Sequence, residues 1–133
     1  GQGVLQDDKE AFKWYRMAAE QGQATAQYTL GHMYLQGQGV LQDDKEAFKW
    51  YRMAAEQGFA DAQFNLGIVY HRGGGGVLQD TLRAHMWSNI ASANGNKNGS
   101  KTRDIIAKNM TPTQIEKAQD MARRCVESDY IDC

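Results

Sequence analysis

With 133 residues the chain is long enough for one domain with a real core. Its 15 Lys and Arg against 16 Asp and Glu leave a formal net charge of -1, without the gathered basic surplus that marks a nucleic-acid binder. No apolar run approaches the ~18 residues of a membrane span. No charged-then-apolar leader opens the chain, so any signal peptide is expected to have been removed or never to have existed.

The organising feature is an internal repeat. Residues Gly1 to Gly22 recur without change from Gly37 to Gly58, at an offset of 36 because Gly39 minus Gly3 is 36. A third, diverged copy runs from Gly76 to Gly95, displaced by 37 because the loop Gly73-Gly74-Gly75-Gly76 carries an extra residue. A fixed period of this length is the signature of a repeat architecture. An unchanged duplicate arises by recent duplication or by engineering.

Each unit reads as two helices. In the first, Asp7 is the predicted N-cap with Glu10 at capping-box spacing, and Asp43 with Glu46 repeats it. Ala11, Tyr15, Ala18 and Ala19 fall on one side at helical spacing, widened by Phe12 and Trp14, while Lys9, Lys13, Arg16 and Glu20 occupy the other. Gly22 suits the left-handed residue that ends a helix. A second helix is predicted from Ala24 to Leu35, aligning Ala24, Tyr28, Gly31 and Leu35, with Leu30 and Tyr34 widening the face. Gly31 lets a neighbouring backbone come close. Leu66, Gly67 and Tyr70 repeat Leu30, Gly31 and Tyr34.

In the third unit the predicted second helix, Lys101 to Asn109, lacks the Leu-Gly-x-x-Tyr signature, which places it near an end of the array. A further helix starts with Thr111 as N-cap, Pro112 at the first position and Gln114 at the third, flanked by Met110 and Ile115 as a hydrophobic staple. It is predicted to run to about Val126, with Ile115, Ala118, Ala122, Cys125 and Val126 on its apolar side, as a C-terminal cap. No such device precedes Gly1, which starts inside a linker.

A lone helix pair cannot bury two faces this wide, so the units must stack, and stacking makes a solenoid. A four-helix bundle is the alternative, but a glycine-framed period favours translation over closure. The expected fold is therefore an all-α solenoid of stacked antiparallel helix pairs, one domain over 1–133, with units at about 3–38, 39–75 and 76–110 and a cap helix and tail at 111–133.

The segments Ala47-Phe48-Lys49-Trp50-Tyr51-Arg52-Met53-Ala54-Ala55-Glu56-Gln57-Gly58, Ala60-Asp61-Ala62-Gln63 and Asn65-Leu66-Gly67-Ile68-Val69-Tyr70 resemble the Sel1-like repeat family, relatives of the tetratricopeptide repeats. The first copy and Met86-Trp87-Ser88-Asn89-Ile90-Ala91 share the likeness, which covers nearly the whole chain. It implies right-handed stacking and an adaptor that holds proteins or peptides on its concave surface, in bacterial envelope or eukaryotic membrane-quality-control settings.

The candidate partner-binding residues form a ladder on the first helices: Lys9, Lys13 and Arg16 recur as Lys45, Lys49 and Arg52, with Met17 and Met53 among them. Stacked helices would space the rungs by ~10 Å. Such a ladder could grip an acidic or extended peptide, with methionine supplying an adaptable contact. The alternative is a solvated face, paired with Glu10, Glu20, Glu46 and Glu56. In the third unit Leu82, Met86 and Ile90 replace Lys9, Lys13 and Met17, giving either a partner groove or a seat for the cap helix.

His32, His71 and His85 do not recur at equivalent positions, and no HExxH or Cys-x-x-Cys spacing exists, so neither a metal site nor any cofactor is expected. Gly73 to Gly76 lacks the ending of a phosphate loop and reads as a connector. Asn98-Gly99-Ser100 matches a glycosylation acceptor, a common triplet of little weight.

Cys125 and Cys133 lie eight apart, ~12 Å on a continuous helix and too far for a bridge. A helix ending near Ser128 would let the tail fold back to close a disulfide; otherwise these are two thiols of a cytoplasmic protein. Secreted members of the resembled family carry cysteines at this spacing, which implies the bridge and a periplasmic or secreted home.

Three functions compete. The first is the adaptor, with no membrane insertion. The second is self-assembly through the uncapped N-terminal end, giving a homo-oligomer. The third follows from the resemblance, because some cysteine-rich secreted relatives are associated with β-lactam binding or hydrolysis. That chemistry wants Ser-x-x-Lys, and none of Ser88, Ser92, Ser100 or Ser128 has Lys three residues on, so no catalytic residue is assigned.

Overall fold

The computed structural model describes residues 2–133, with side chains from residue 7 onward. Asp43 fixes the first turn of the second unit: its carboxylate accepts from the N–H groups of Lys45 and Glu46, at 3.1 and 3.2 Å. Helix α3 follows over Asp44–Ala55. The return half of the predicted capping box is absent, because the Asp43 N–H donates instead to the Tyr34 carbonyl. Glycine at 58 (φ 89°) turns the chain into α4, Ala60–Arg72.

The same 22 residues fold differently at the start of the first copy. Helix α1 spans Gln2–Glu20, so Asp7 lies inside it and is not an N-cap. The reason lies in the neighbour. In the second copy, the preceding helix α2 (Ala24–Gln36) accepts backbone bonds from Gln38 and Asp43, and these hold the stretch out of a helix. Among the described residues no helix ahead of Asp7 supplies such carbonyls. The loop also packs back on α1, since any Cβ at Gly39 would collide with the Asp8 carbonyl.

The third unit comprises α5 (Thr81–Ala93), N-capped by Asp80, and α6 (Gly99–Ala107). Helix α6 begins two residues before the predicted Lys101 and ends two before Asn109. Helix α7 spans Pro112–Glu127 with both bonds of the Thr111–Gln114 capping box and proline in its first turn, as the sequence predicts. Among the described residues these seven helices carry the fold; an isolated Gly74–Val77 bridge is the one extended pairing.

Consecutive helices pack in order from α1 to α6, and α5 also seats α7. The result is a right-handed α-solenoid. Its core runs through the units as one cluster containing Ala19, Leu30, Tyr34, Trp50, Tyr51, Leu66, Trp87 and Ile90. A second cluster under the cap joins Ile106, Met110 and Ala118, with Ile115 and Leu82 packed against it. Met110 and Ile115 thus meet, as a staple should.

Besides Trp14 and Tyr15 of α1, two expected core positions face water. Leu35 is 43% exposed, because the buried face of α2 is carried by Ala26, Gln27, Leu30, Gly31, Met33 and Tyr34. Val126 is also exposed, and Met121 packs against the core in its place.

Candidate functional site

The ladder residues all stand on the surface. Lys9, Lys13 and Arg16 on α1, and Lys45, Lys49 and Arg52 on α3, are exposed. Met17 and Met53 beside them are 45% and 39% exposed. The two arginines are tied down. Arg16 meets Glu20 at 2.8 Å and reaches the Tyr34 hydroxyl at 3.5 Å, and the bond to Glu20 is the main cause raising its pKa. Arg52 meets Glu56 at 3.5 Å. Lys49 stands 4.0 Å from Glu46 and 5.4 Å over the Trp50 ring. Lys9, Lys13 and Lys45 join no ion pair among the described residues. The face therefore combines solvated intrahelical pairs with uncommitted ammonium groups.

The rungs are braced by a repeated aromatic contact. Phe12 meets Tyr34 edge-on at 5.4 Å, and Phe48 meets Tyr70 edge-on at 5.9 Å. Position 85 takes the same place in the third unit, and His85 is buried there. Burial lowers its pKa, helped by Arg103.

Leu82, Met86 and Ile90 join the apolar clusters that also hold Ala118, Ala122 and Cys125 of α7. Met86 and Ile90 are buried and Leu82 is half-buried beneath α7. The face that carries lysines in the first two units is thus apolar and covered in the third.

The tail does fold back. Asp129 and Tyr130 adopt left-handed φ values of 57° and 65°, reversing the chain after α7. Cys125 and Cys133 are joined by a disulfide, with their Cα atoms 4.6 Å apart. Arg83 donates to the Cys133 carbonyl at 3.3 Å.

Two identical sequences differ in exposure. Trp14 and Tyr15 on α1 are 63% and 41% exposed, whereas Trp50 and Tyr51 on α3 are 6% and 1% exposed. Helix α2 makes the difference, because it covers α3 and nothing among the described residues covers α1 in the same way.

Sequence reasoning missed a buried amide ladder. Gln27 donates to the Ala19 carbonyl at 3.2 Å and accepts from Gln57 at 2.8 Å. One unit on, Gln63 donates to the Ala55 carbonyl at 3.0 Å and accepts from Asn94 at 2.9 Å. Gln27 and Gln63 are both fully buried, and each bond they make satisfies a group that would otherwise be costly to bury. The available signal was the recurrence of Ala-x-Ala-Gln at the 36-residue offset.

Among the described residues no cluster of His, Cys, Asp or Glu could hold a metal ion. No described helix is long and apolar enough to cross a membrane.

The Sel1 repeat model matches residues 1–23, 24–59 and 60–96 in succession. The chain belongs to the Sel1 repeat family. Repeats of this family generally mediate protein–protein interaction and typically serve as non-enzymatic scaffolds. Among solved structures, the chain is similar to c5321, a protective antigen of uropathogenic Escherichia coli strains displaying an SLR fold, with TM-score 0.85 and 38% identity over 92% of this chain. It is also similar to a Sel1 repeat protein from Oxalobacter formigenes, with TM-score 0.74 and 29% identity over 92% of this chain. The chain spans 27% and 52% of those two proteins. No curated protein matches it.

Proposed function

We propose that this Sel1 repeat domain is an adaptor that holds a protein or peptide of acidic character along its concave face. Lys13, Arg16, Met17, Lys49, Arg52 and Met53 make the contacts, and Lys9 and Lys45 at the rim add long-range attraction. The carrying observation is the two-fold recurrence of one exposed surface, methionine among cations, with Lys9, Lys13 and Lys45 outside any described ion pair. In this reading the chain is a single domain with units at about 3–38, 39–75 and 76–110.

The test is affinity capture from the host with mass spectrometry, using as control a protein with Lys13, Arg16, Lys49 and Arg52 changed to Glu. A partner retained by the natural sequence and lost by the control supports the ladder. Equal capture by both sinks it.

A second reading, self-association through α1, is favoured by the exposure of Trp14 and Tyr15 against their covered copies. Light scattering across a concentration series separates it from a monomeric adaptor, and Trp14→Ala should abolish any association seen. The Cys125–Cys133 bridge supports a periplasmic or secreted location, since disulfides persist in oxidising compartments.

A further inference from the structure

Away from the ladder, the second helices of the first two units leave space between them. Helices α2 and α4 both pack on α3, and over the first half of α3 they enclose an open cleft of about 240 Å³. Leu35, Phe48, Ile68 and Val69 supply apolar wall, joined by the Tyr51 ring. This accounts for Leu35, the apolar residue that the α2 core does not take.

The rim carries one charge of each sign. Asp44 comes from the first turn of α3 and Arg72 from the last turn of α4. Neither joins an ion pair among the described residues; Asp44 accepts from the Gln42 amide, a neutral partner. Two further titratable groups line the cleft: Tyr51, whose pKa burial raises, and His32, which bonds the Tyr28 hydroxyl at 3.0 Å. Burial lowers its pKa, so it is neutral at pH 7 and adds no charge to the wall.

We propose that this cleft binds a small zwitterion with an apolar side chain, an α-amino acid of the leucine or phenylalanine type. Its carboxylate meets Arg72 and its ammonium group meets Asp44. The walls favour hydrocarbon because they remove it from water. A guanidinium fork matches a carboxylate through two parallel hydrogen bonds. A ligand with a single charge would leave one rim group unmatched, whereas a zwitterion answers both. The volume lies below the ~300–1,000 Å³ of sites for drug-sized ligands, which limits the occupant to about one amino acid. The third unit cannot repeat the cleft, because Ser88 replaces Tyr51, His71 replaces Leu35, and α6 lacks the repeat signature. One site per chain is therefore expected. The site shares α3 with the adaptor face but uses Asp44, Phe48 and Tyr51, none of them a ladder residue.

Isothermal titration of the whole chain with L-leucine and with L-phenylalanine is the direct test. Saturable binding of one equivalent is expected at millimolar ligand or below. N-acetyl-L-leucine, which lacks the ammonium group, and L-leucinamide, which lacks the carboxylate, should each bind about tenfold more weakly. Arg72→Gln and Asp44→Asn should each weaken leucine about tenfold with the circular dichroism spectrum unchanged, since both side chains are exposed. Ile68→Trp should fill the cleft and abolish binding. No saturable binding of either amino acid would overturn the proposal, as would affinity indifferent to both rim variants. Tighter binding of a leucine-ended peptide than of leucine would overturn the assignment to a free amino acid.

Discussion

Gly31 lies against the ring of Tyr51, so closely that a Cβ at position 31 would stand 2.8 Å from ring carbons Cδ1 and Cε1. The pair joins α2 of one unit to α3 of the next, and Gly67 repeats the approach against Ser88, where a Cβ would stand 2.5 Å from Oγ. Gly31→Ala gains up to about 1 kcal/mol of helix propensity. It also overpacks a buried ring, a change that costs about 1–3 kcal/mol. Because Tyr51 is enclosed and cannot swing away, the clash outweighs the propensity. Urea denaturation should show Gly31→Ala less stable than the parent, and greater stability would contradict the close approach.

Trp14 and Trp50 sit in identical sequence and differ only in what covers them. Trp50→Ala empties a core site and should cost about 3–5 kcal/mol. Trp14→Ala should cost less than about 1 kcal/mol, in the range of surface substitutions. Equal losses in parallel denaturant titrations would show that α1 is covered as α3 is.

The Cys125–Cys133 bridge closes a short loop, and chain entropy assigns such a loop about 2–3 kcal/mol. Reductant and Cys133→Ser should lower the thermal midpoint by the same amount, and reductant should leave the variant unmoved. The test uses Cys133 because Cys125 is fully buried, where serine would bring a polar cost of its own.

His85 makes stability depend on pH in one direction. Burial, with Arg103 adding repulsion, lowers its pKa in the folded state, so below the unfolded value of about 6.5 the unfolded chain binds more protons. Its contribution is constant above about pH 6.5 and is lost as pH falls through the window between the unfolded and folded values. His32, also shifted down by burial, acts in the same sense. His85→Phe, which restores the residue found at Phe12 and Phe48, should flatten the decline between pH 7 and 5. An unchanged slope in denaturation midpoints across that range would remove His85 as its source.

Much of the fold was legible because the repeat writes the same instruction more than once. Gly31 and Gly67, the Thr111–Gln114 box and the apolar stripe Leu82, Met86 and Ile90 each announce a local geometry or a covered surface. What stayed hidden depends on neighbours. Identical residues are helical after Gly1 and looped after Gly37, because the deciding groups are carbonyls of α2 and not part of the segment. The ladder was readable as residues, but exposure alone does not distinguish a solvated face from an interface. The α2–α4 cleft was invisible for a related reason. Leu35 has helical spacing to Tyr28 and Gly31, and only the angle between packed helices leaves it outside the core.

One consequence concerns the folded-back tail. The Tyr130 hydroxyl accepts from the Asn94 amide at 3.1 Å, and that amide also donates to the buried Gln63. The bridge that holds the tail therefore anchors a relay that ends at the Ala55 carbonyl. Reduction is expected to loosen the outermost link of that relay, the Tyr130–Asn94 contact. A change confined to two sulfur atoms is thus linked, through Tyr130 and Asn94, to an amide buried between two repeats.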